Sequence, residues 1–238
     1  MASPPFRFKK FEIQQHGAVH PVGTDSVLLG AWAGLENAPA RILDIGTGTG
    51  VIALMLAQRA ADAQITAVEM HPASVSCARR NAAASPWADR LNVFETSIQD
   101  FAAADTPVFD LIVSNPPFFS ETTVSPDPAR RLGRHTASLT AVELIVAVQV
   151  LLAQNGRFCV ILPEMEGKRL CELAALQGLY VTNIMTIRSR SDRPIERLLL
   201  CLERSPYGFE RSELFIYMKN GGYALEYQEL TSKFYLNF

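Results

Sequence analysis

From Arg41 onward, short apolar runs of β type alternate with longer runs of helical period. This alternation is typical of βαβ units around a parallel sheet. The helix predicted over 51–61 is apolar nearly all round, as expected of a helix buried against a sheet. The pattern predicts strands over 41–45, 65–70, 91–94, 109–113 and 157–162, and further helices over 72–84, 139–154 and 167–176.

The end of the predicted sheet follows a different pattern. Two β-rich runs, 180–187 and 196–203, are separated by the polar turn SRSDRP, which indicates an antiparallel closing hairpin. Residues 1–40 lie outside the alternation, and Asp25 is predicted to cap a helix over the apolar run that follows it. No repeat or linker divides the chain, so we expect a single domain over 1–238, with 1–40 as an N-terminal extension.

Composition and charge exclude several classes of protein. The chain has 238 residues, 48% of them hydrophobic, and a net charge of -2, which suits an ordinary globular protein and excludes indiscriminate coating of nucleic acid. The longest apolar stretch, 144–153, is about half of the ~20 residues that cross a bilayer. The start, MASPPFRFKKFEIQQ, lacks the apolar core of a secretory signal. We therefore expect a cytoplasmic protein with no membrane partner. The sequence does not determine the oligomeric state, for which a monomer is favoured.

No metal site is expected. The four cysteines are scattered without a C-x-x-C pair, which predicts reduced thiols in a core. His16 and His20 have the spacing of metal ligands on a helix, but Gly17 and Pro21 interrupt any helix there.

A glycine-rich turn, Asp44–Gly50, follows the first strand and begins a helix, which is where an open α/β sheet binds its ligand. Its glycines permit close approach of the backbone to a ligand. The G-x-G-x-x-G spacing of dinucleotide folds fails, because Val51 occupies the third position. Glu69, at the end of the second strand, is placed to accept hydrogen bonds from both hydroxyls of a ribose. The alternatives are a phosphate cradle for the glycines and a solvated carboxylate for Glu69.

Directly after the fourth strand comes the sequence Asn115-Pro116-Pro117-Phe118. The amine of adenine is a weak nucleophile because its lone pair is delocalised into the ring, and two hydrogen-bond acceptors suffice to localise that pair. The Asn115 carboxamide and the Pro116 carbonyl, restrained by Pro117, supply two acceptors. Phe118 offers a flat face on which a base stacks. The alternative is a proline-rich loop that merely ends a strand.

Together the glycine turn, Glu69 and Asn115–Phe118 resemble motifs of class I S-adenosylmethionine-dependent methyltransferases that modify planar nitrogens. The resemblance implies a Rossmann-like α/β fold, with a mostly parallel seven-stranded sheet, an antiparallel closing hairpin and helices on both faces. It implies S-adenosylmethionine as the cofactor. The N/D-P-P-Y/F/W motif selects a chemistry, so adenine N6, guanine N2 and a glutamine amide remain candidate acceptors.

The resemblance also assigns cofactor contacts residue by residue. It implies that the cofactor is held by Asp44, Gly46, Thr47, Gly48, Gly50, Glu69, Met70 and Asn115. Such families usually have an Asp after the third strand to receive the cofactor's adenine, whereas this chain has Ser97 there. Asp100, three residues later, is no simple replacement, so Ser97 and the backbone of Ile98 are the predicted adenine contacts.

Both ends of the chain, at 8–15, 22–33 and 230–236, are similar to the bacterial valine-tRNA adenine-37 N6-methyltransferase family. This similarity implies methylation of an adenine beside the anticodon, Thr24 near the methionine end of the cofactor, and an extension packed on or near the cofactor site. The open alternatives are the same chemistry on rRNA guanine N2, DNA adenine or a protein glutamine, and a non-catalytic RNA- or nucleotide-binding domain. The compact length leaves no room for a large DNA target-recognition domain.

Charge is distributed unevenly along the chain. Residues 42–129 hold four basic and ten acidic residues, a net charge of -6, and the remainder has a net charge of +4. Basic clusters of this kind contact phosphates without reading sequence. The predicted RNA contacts are Arg7, Lys9, Lys10, Arg130, Arg131, Arg134 and His135, the last four within a predicted substrate-gripping loop over 119–138. A third basic cluster, at 188–197, is interleaved with Asp192 and Glu196, so a solvated or salt-bridged face is a stronger alternative to RNA contact there.

Overall fold

The computed structural model of the protein describes residues 4–117 and 139–237. In chain order its strands are β1 Phe6–Arg7, β2 Glu12–Ile13, β3 Arg41–Ile45, β4 Gln64–Glu69, β5 Leu91–Glu95, β6 Phe109–Ser114, β7 Leu152–Pro163, β8 Tyr180–Arg188, β9 Arg197–Glu203 and β10 Glu210–Phe215. Its helices are α1 Thr24–Trp32, α2 Val51–Arg59, α3 Pro72–Ala83, α4 Ile98–Ala103, α5 Ala141–Leu151, α6 Glu164–Leu176 and α7 Leu225–Thr231. None of these helices has the length and apolar character needed to cross a membrane.

The main sheet has the strand order β10-β8-β9-β7-β6-β3-β4-β5. Strand β9 is antiparallel to both of its neighbours, and all the other pairs are parallel. From β3 the chain proceeds outward through β4 and β5, and then returns to place β6 on the other side of β3. The carboxyl ends of β3 and β6 therefore form a topological switch point, the usual ligand site of an open α/β sheet.

Alternate residues of the central strands enter two separate cores. Ile42 and Leu111 face the helices α1 and α2, whereas Leu43 and Ile112 face α4, α5 and α6. Both faces of the sheet are thus covered, which explains why these strands are continuous apolar runs in the sequence. The α/β architecture and the antiparallel closing hairpin, β8–β9, are confirmed.

Three details differ from the sequence predictions. The sheet has eight strands and not seven, because β10 adds to the edge beside β8. The helix predicted over 139–154 ends at Leu151, and β7 begins at once at Leu152. Asp25 does not cap α1: that helix begins at Thr24 with Gly23 before it, and no side chain caps its end.

The N-terminal segment follows α3 from the amino ends of the parallel strands to their carboxyl ends. The hairpin β1–β2 lies near the amino ends of the parallel strands, since Phe11 packs edge-on against Trp87, which shortly precedes β5. Residues 14–20 then run along α3, where the Asn81 amide nitrogen donates to the carbonyls of Gln14, at 2.9 Å, and Thr49, at 2.8 Å. This path brings the start of α1 to the carboxyl ends of the parallel strands, which we call the carboxyl edge of the sheet.

Candidate active site

The turn that follows β3 is formed by glycines in the left-handed region. Gly46, Gly48 and Gly50 have φ angles of 70°, 58° and 83°. A Cβ built on Gly46 or Gly48 would meet no atom within 4 Å, so open space lies in front of this part of the turn. Any other residue would be strained at these angles and would fill that space. The turn is therefore built for close contact with a ligand.

Asp44 organises this turn from beneath. Its side chain is fully buried, and its Oδ2 accepts hydrogen bonds from the Thr47 hydroxyl, at 2.6 Å, and the Ala53 amide, at 3.2 Å. Its Oδ1 is buried and has no hydrogen-bond partner among the described residues. Burial raises the pKa of Asp44 to about 7, although its hydrogen bonds with Thr47 and Ala53 oppose that rise. One acceptor is thus left for a ligand that donates a hydrogen bond or carries positive charge.

Glu69, the last residue of β4, joins the turn to the start of α3. Its Oε2 accepts from the Gly48 amide at 3.0 Å, and its Oε1 accepts from the His71 amide at 2.9 Å. The residue is only 8% exposed. A carboxylate has about four acceptor positions, so each oxygen can accept one more hydrogen bond. Two hydroxyls on adjacent carbons match that arrangement.

The amide groups of the turn do not form a phosphate cradle. The amides of Gly46 and Thr47 both donate to the Val68 carbonyl, and the Gly48 amide donates to Glu69. Phosphate binding uses free amides and is opposed by nearby carboxylates. Asp44 and Glu69 instead favour a ligand with hydroxyls and positive charge.

Within 4–117 and 139–237, no group of three or more His, Cys, Asp and Glu side chains is placed to hold a metal ion.

Asn115 lies beside this turn, at the carboxyl end of β6. The Ser114 hydroxyl donates to the Ile45 carbonyl at 3.0 Å and so ties β6 to the end of β3. The Asn115 amide nitrogen donates to the Ser26 hydroxyl of α1 at 2.9 Å. This bond occupies the nitrogen and leaves the carboxamide oxygen as an acceptor. Pro116 is buried and Pro117 exposed.

Comparison with known proteins places this site in a family. The pattern that defines the methyltransferase small domain matches residues 26–167, which include the glycine turn, Glu69 and Asn115. The tRNA1(Val) (adenine(37)-N6)-methyltransferase of Aeromonas hydrophila is 43% identical over 97% of this chain and 97% of its own length. The enzyme of the same name from Yersinia enterocolitica is 40% identical over 98% of this chain and 93% of its own. The chain belongs to this methyltransferase family.

Solved structures agree with this methyltransferase in fold. A predicted O-methyltransferase from Agrobacterium tumefaciens superposes with a TM-score of 0.69 over 88% of this chain and 96% of its own, at 18% identity. The ribosomal protein L11 methylase of Lactobacillus delbrueckii subsp. bulgaricus gives a TM-score of 0.55 over 80% and 83%, at 20% identity. At these identities the likeness concerns the fold alone.

The other predicted cofactor contacts of this methyltransferase surround the same switch point. Met70 directly follows Glu69 and is 41% exposed, and Thr24 is exposed two residues before Ser26. Ile98 is buried at the start of α4. Ser26 was not among the site residues predicted from the sequence. No local pattern marked it, because its partner, Asn115, is 89 residues away in the chain.

Ser97 and Asp100 form a single unit in this methyltransferase. The Ser97 hydroxyl caps α4 by accepting from the Asp100 amide at 3.0 Å, and it donates to the Asp100 carboxylate at 2.7 Å. From the sequence, Asp100 was not expected to replace the Asp that related families have where this chain has Ser97. The structure places its carboxylate next to Ser97, so an acid is present beside the predicted adenine contacts after all.

The predicted RNA contacts of the N-terminal cluster lie away from Asn115. Arg7 pairs with Glu12 at 3.0 Å, the Lys9 ammonium donates to the Ser232 carbonyl at 2.6 Å, and Lys10 is exposed. All three belong to the region of the β1–β2 hairpin, near the opposite edge of the sheet. Their contact with RNA stays a prediction. The remaining predicted residues, Phe118, Arg130, Arg131, Arg134 and His135, lie outside the described residues.

Proposed function

We propose that this protein transfers a methyl group from S-adenosylmethionine to the exocyclic N6 amine of an adenine in tRNA, at position 37 beside the anticodon of a valine tRNA. The observation that carries the proposal is the Asn115 carboxamide, whose nitrogen is held by the Ser26 hydroxyl beside the glycine turn. The activity named for the relatives from Aeromonas hydrophila and Yersinia enterocolitica supports the choice of tRNA.

The described residues fit S-adenosylmethionine. The open space before Gly46 and Gly48 admits a ligand close to the backbone, and the unpartnered Asp44 oxygen offers an acceptor. Glu69 has acceptor capacity for two ribose hydroxyls, while Ser97 and Asp100 supply polar groups for the adenine of the cofactor. When bound, the cofactor supplies an electrophilic methyl group on a positively charged sulfur.

The chain's own contribution is to orient and activate the target amine. In the proposed mechanism the Asn115 oxygen accepts one hydrogen of the amine and the Pro116 carbonyl accepts the other. Drawing both hydrogens toward these acceptors localises the nitrogen lone pair, and the main contribution to rate is proximity. No strong base is required, because the proton leaves only after the nitrogen becomes positively charged. Phe118 is the proposed stacking surface for the base.

We further propose that residues 1–238 act as one methyltransferase domain in the cytoplasm, where a tRNA substrate is available. The N-terminal extension supports this, because α1 carries Ser26 to Asn115 while Asn81 joins residue Gln14 to the glycine turn at Thr49.

The function is tested by offering labelled S-adenosylmethionine with bulk tRNA, DNA and protein in parallel, followed by nucleoside and amino-acid analysis. We expect label only in tRNA, as N6-methyladenosine. Label in guanine N2, in DNA adenine or in a glutamine amide identifies one of the alternative acceptors. Binding of tRNA without transfer to any acceptor indicates a non-catalytic module.

Changing Glu69 to alanine is expected to weaken cofactor binding by about 10-fold to 100-fold, because two hydrogen bonds of ~1 kcal/mol each are lost. Isothermal titration calorimetry measures this dissociation constant. Glu172→Ala is the matched control, since Glu172 is an exposed acid on α6, on the other face of the sheet from α2. A Glu69→Ala dissociation constant equal to that of the wild type removes Glu69 from the cofactor site.

A further inference from the structure

The turn between β8 and β9 lies on the same edge of the sheet as Asn115. Strand β8 runs in the same direction as β6, so its last residue, Arg188, reaches the carboxyl edge, and the antiparallel β9 begins there at Arg197. Strand β8 is three places from β6 in the sheet. At about 4.8 Å between strands, β8 is about 14 Å from β6 across the sheet. Ser114 is level with Ile184, so the turn after Arg188 also lies about 13 Å further along the strand direction.

A cavity of about 630 Å³ opens at this turn. Its lining combines residues of the turn with residues that follow β10: Ser189, Arg190, Arg193, Glu196, Tyr217 and Gly221. We call it the arginine–tyrosine pocket. Two guanidinium groups, one carboxylate and one aromatic ring thus share a concave site that the proposed transfer reaction does not use.

The arginines of the turn differ in their pairing. Arg188 pairs with Glu213 at 2.7 Å, and Arg197 pairs with Asp25 at 2.8 Å, as expected of a salt-bridged face. Arg190 and Arg193 line the pocket and form no ion pair with the residues described. A guanidinium group is always charged and matches the geometry of a phosphate with paired donors. With two arginines against one carboxylate, Glu196, the lining carries net positive charge and suits an anion.

The aromatic side of the pocket is a supported ring. Tyr217 is 38% exposed and stacks on Tyr223, with ring centroids 5.1 Å apart and an interplanar angle of 26°. Tyr223 in turn stacks on the buried Tyr227 at 5.3 Å and 16°. Bases of single-stranded RNA stack on such rings, and a nearby carboxylate such as Glu196 accepts hydrogen bonds from base amines or ribose hydroxyls.

We propose that the arginine–tyrosine pocket binds a phosphodiester and the adjoining base of single-stranded RNA, a few nucleotides from the adenine that enters the site at Asn115. The proposal rests on the proposed function, and it names a second point of contact with the same substrate. Arg190 and Arg193 hold the phosphate, Tyr217 stacks the base, and Glu196 accepts from it. An RNA loop that places its adenine at Asn115 extends along the carboxyl edge of the sheet toward the end of β8.

The charge contribution is tested with the double variant Arg190→Gln/Arg193→Gln. Its dissociation constant for a valine tRNA transcript is expected to rise at least tenfold at 0.1 M salt, and the slope of log affinity against log salt to fall by ~0.7, because one phosphate contact is lost. The KM for tRNA rises with it, while kcat at saturating tRNA stays within about twofold. Arg211→Gln is the matched control, because Arg211 is an exposed arginine on β10 outside the pocket.

The stacking contribution is separated from charge by two changes at one residue. Tyr217→Ala is expected to weaken tRNA binding about tenfold with an unchanged salt slope, whereas Tyr217→Phe keeps the ring and binds like the wild type. Thermal unfolding of every variant is measured in parallel, so that a loss of binding in a variant that remains folded is attributed to the pocket.

Two results overturn the proposal in distinguishable ways. If the double variant matches Arg211→Gln in affinity, salt slope and KM while the wild type still methylates tRNA, the pocket does not bind the substrate and the proposed function stands. If the wild-type protein methylates no RNA, the proposed function fails and the pocket assignment fails with it.

Discussion

Replacing Asn115 with alanine is expected to lower kcat for methyl transfer to tRNA by about 100-fold to 1,000-fold, the usual effect of deleting one preorganised hydrogen-bonding group at a reacting centre. The carboxamide oxygen is the only acceptor that this side chain offers, and the hydrogen bond from its nitrogen to the Ser26 hydroxyl fixes the orientation of that oxygen. The Pro116 carbonyl is untouched, so transfer falls without disappearing. Single-turnover transfer from labelled cofactor measures the effect.

Two further variants identify the cause of the loss. Ser26→Ala keeps the Asn115 oxygen in the side chain but no longer fixes its orientation, so a smaller loss of about 10-fold is expected, in kcat more than in KM. Asn92→Ala removes an exposed asparagine from β5 and is expected to transfer normally. Calorimetric cofactor affinity stays near the wild-type value in all three. Full turnover by Asn115→Ala contradicts its assigned role in activating the amine.

The stability of the protein is expected to fall as pH rises from about 4 to about 7, by up to ~1.4 kcal/mol per pH unit from Asp44 alone. Burial raises the pKa of this carboxyl from 3.8 to about 7 in the folded chain. Between these two values the Asp44 carboxyl is protonated in the folded state and ionised in the unfolded state, so unfolding releases a proton. Raising the pH therefore favours unfolding until both states are ionised, and below about pH 4 both are protonated and the effect is absent.

The Asp44→Asn variant isolates this contribution from those of other titrating groups. Its amide oxygen can still accept from Thr47 and Ala53, and the side chain cannot ionise, so its free energy of unfolding should depend less steeply on pH over the same range. Urea unfolding at half-unit pH steps gives both curves. Asp62→Asn, in the exposed turn after α2, should follow the wild type. Parallel curves for wild type and Asp44→Asn would show that Asp44 ionises at its ordinary pKa.

The central sheet could be predicted from the sequence because burial on both faces makes each strand an apolar run. The same reasoning fails for β10, the strand at the side of the sheet next to β8. Strand β10 was missed because its first four residues are exposed, so Glu210-Arg211-Ser212-Glu213 carries no apolar pattern. The end of α5 was misplaced because Leu151 and Leu152 are buried alike, and an apolar run of this kind fits a helix end as well as a strand.

The proximity of the predicted site residues could be predicted from the sequence. Asp44, Glu69 and Asn115 each lie at the end of a parallel strand, and the switch point gathers those ends together. The contacts between distant segments were not predictable. Nothing in the sequence indicates that Ser26 meets Asn115, or that Arg197 pairs with Asp25, because both contacts depend on where α1 lies relative to the strand ends.

The reversed direction of β9 has an evolutionary consequence. Because this strand runs against its neighbours, the turn at 189–196 and not another strand end lies on the edge that holds Asn115. Surface turns tolerate insertion and replacement far better than buried strands do. Substitutions in that turn can therefore change the proposed RNA contact while Asn115 and the glycine turn keep their places at the strand ends.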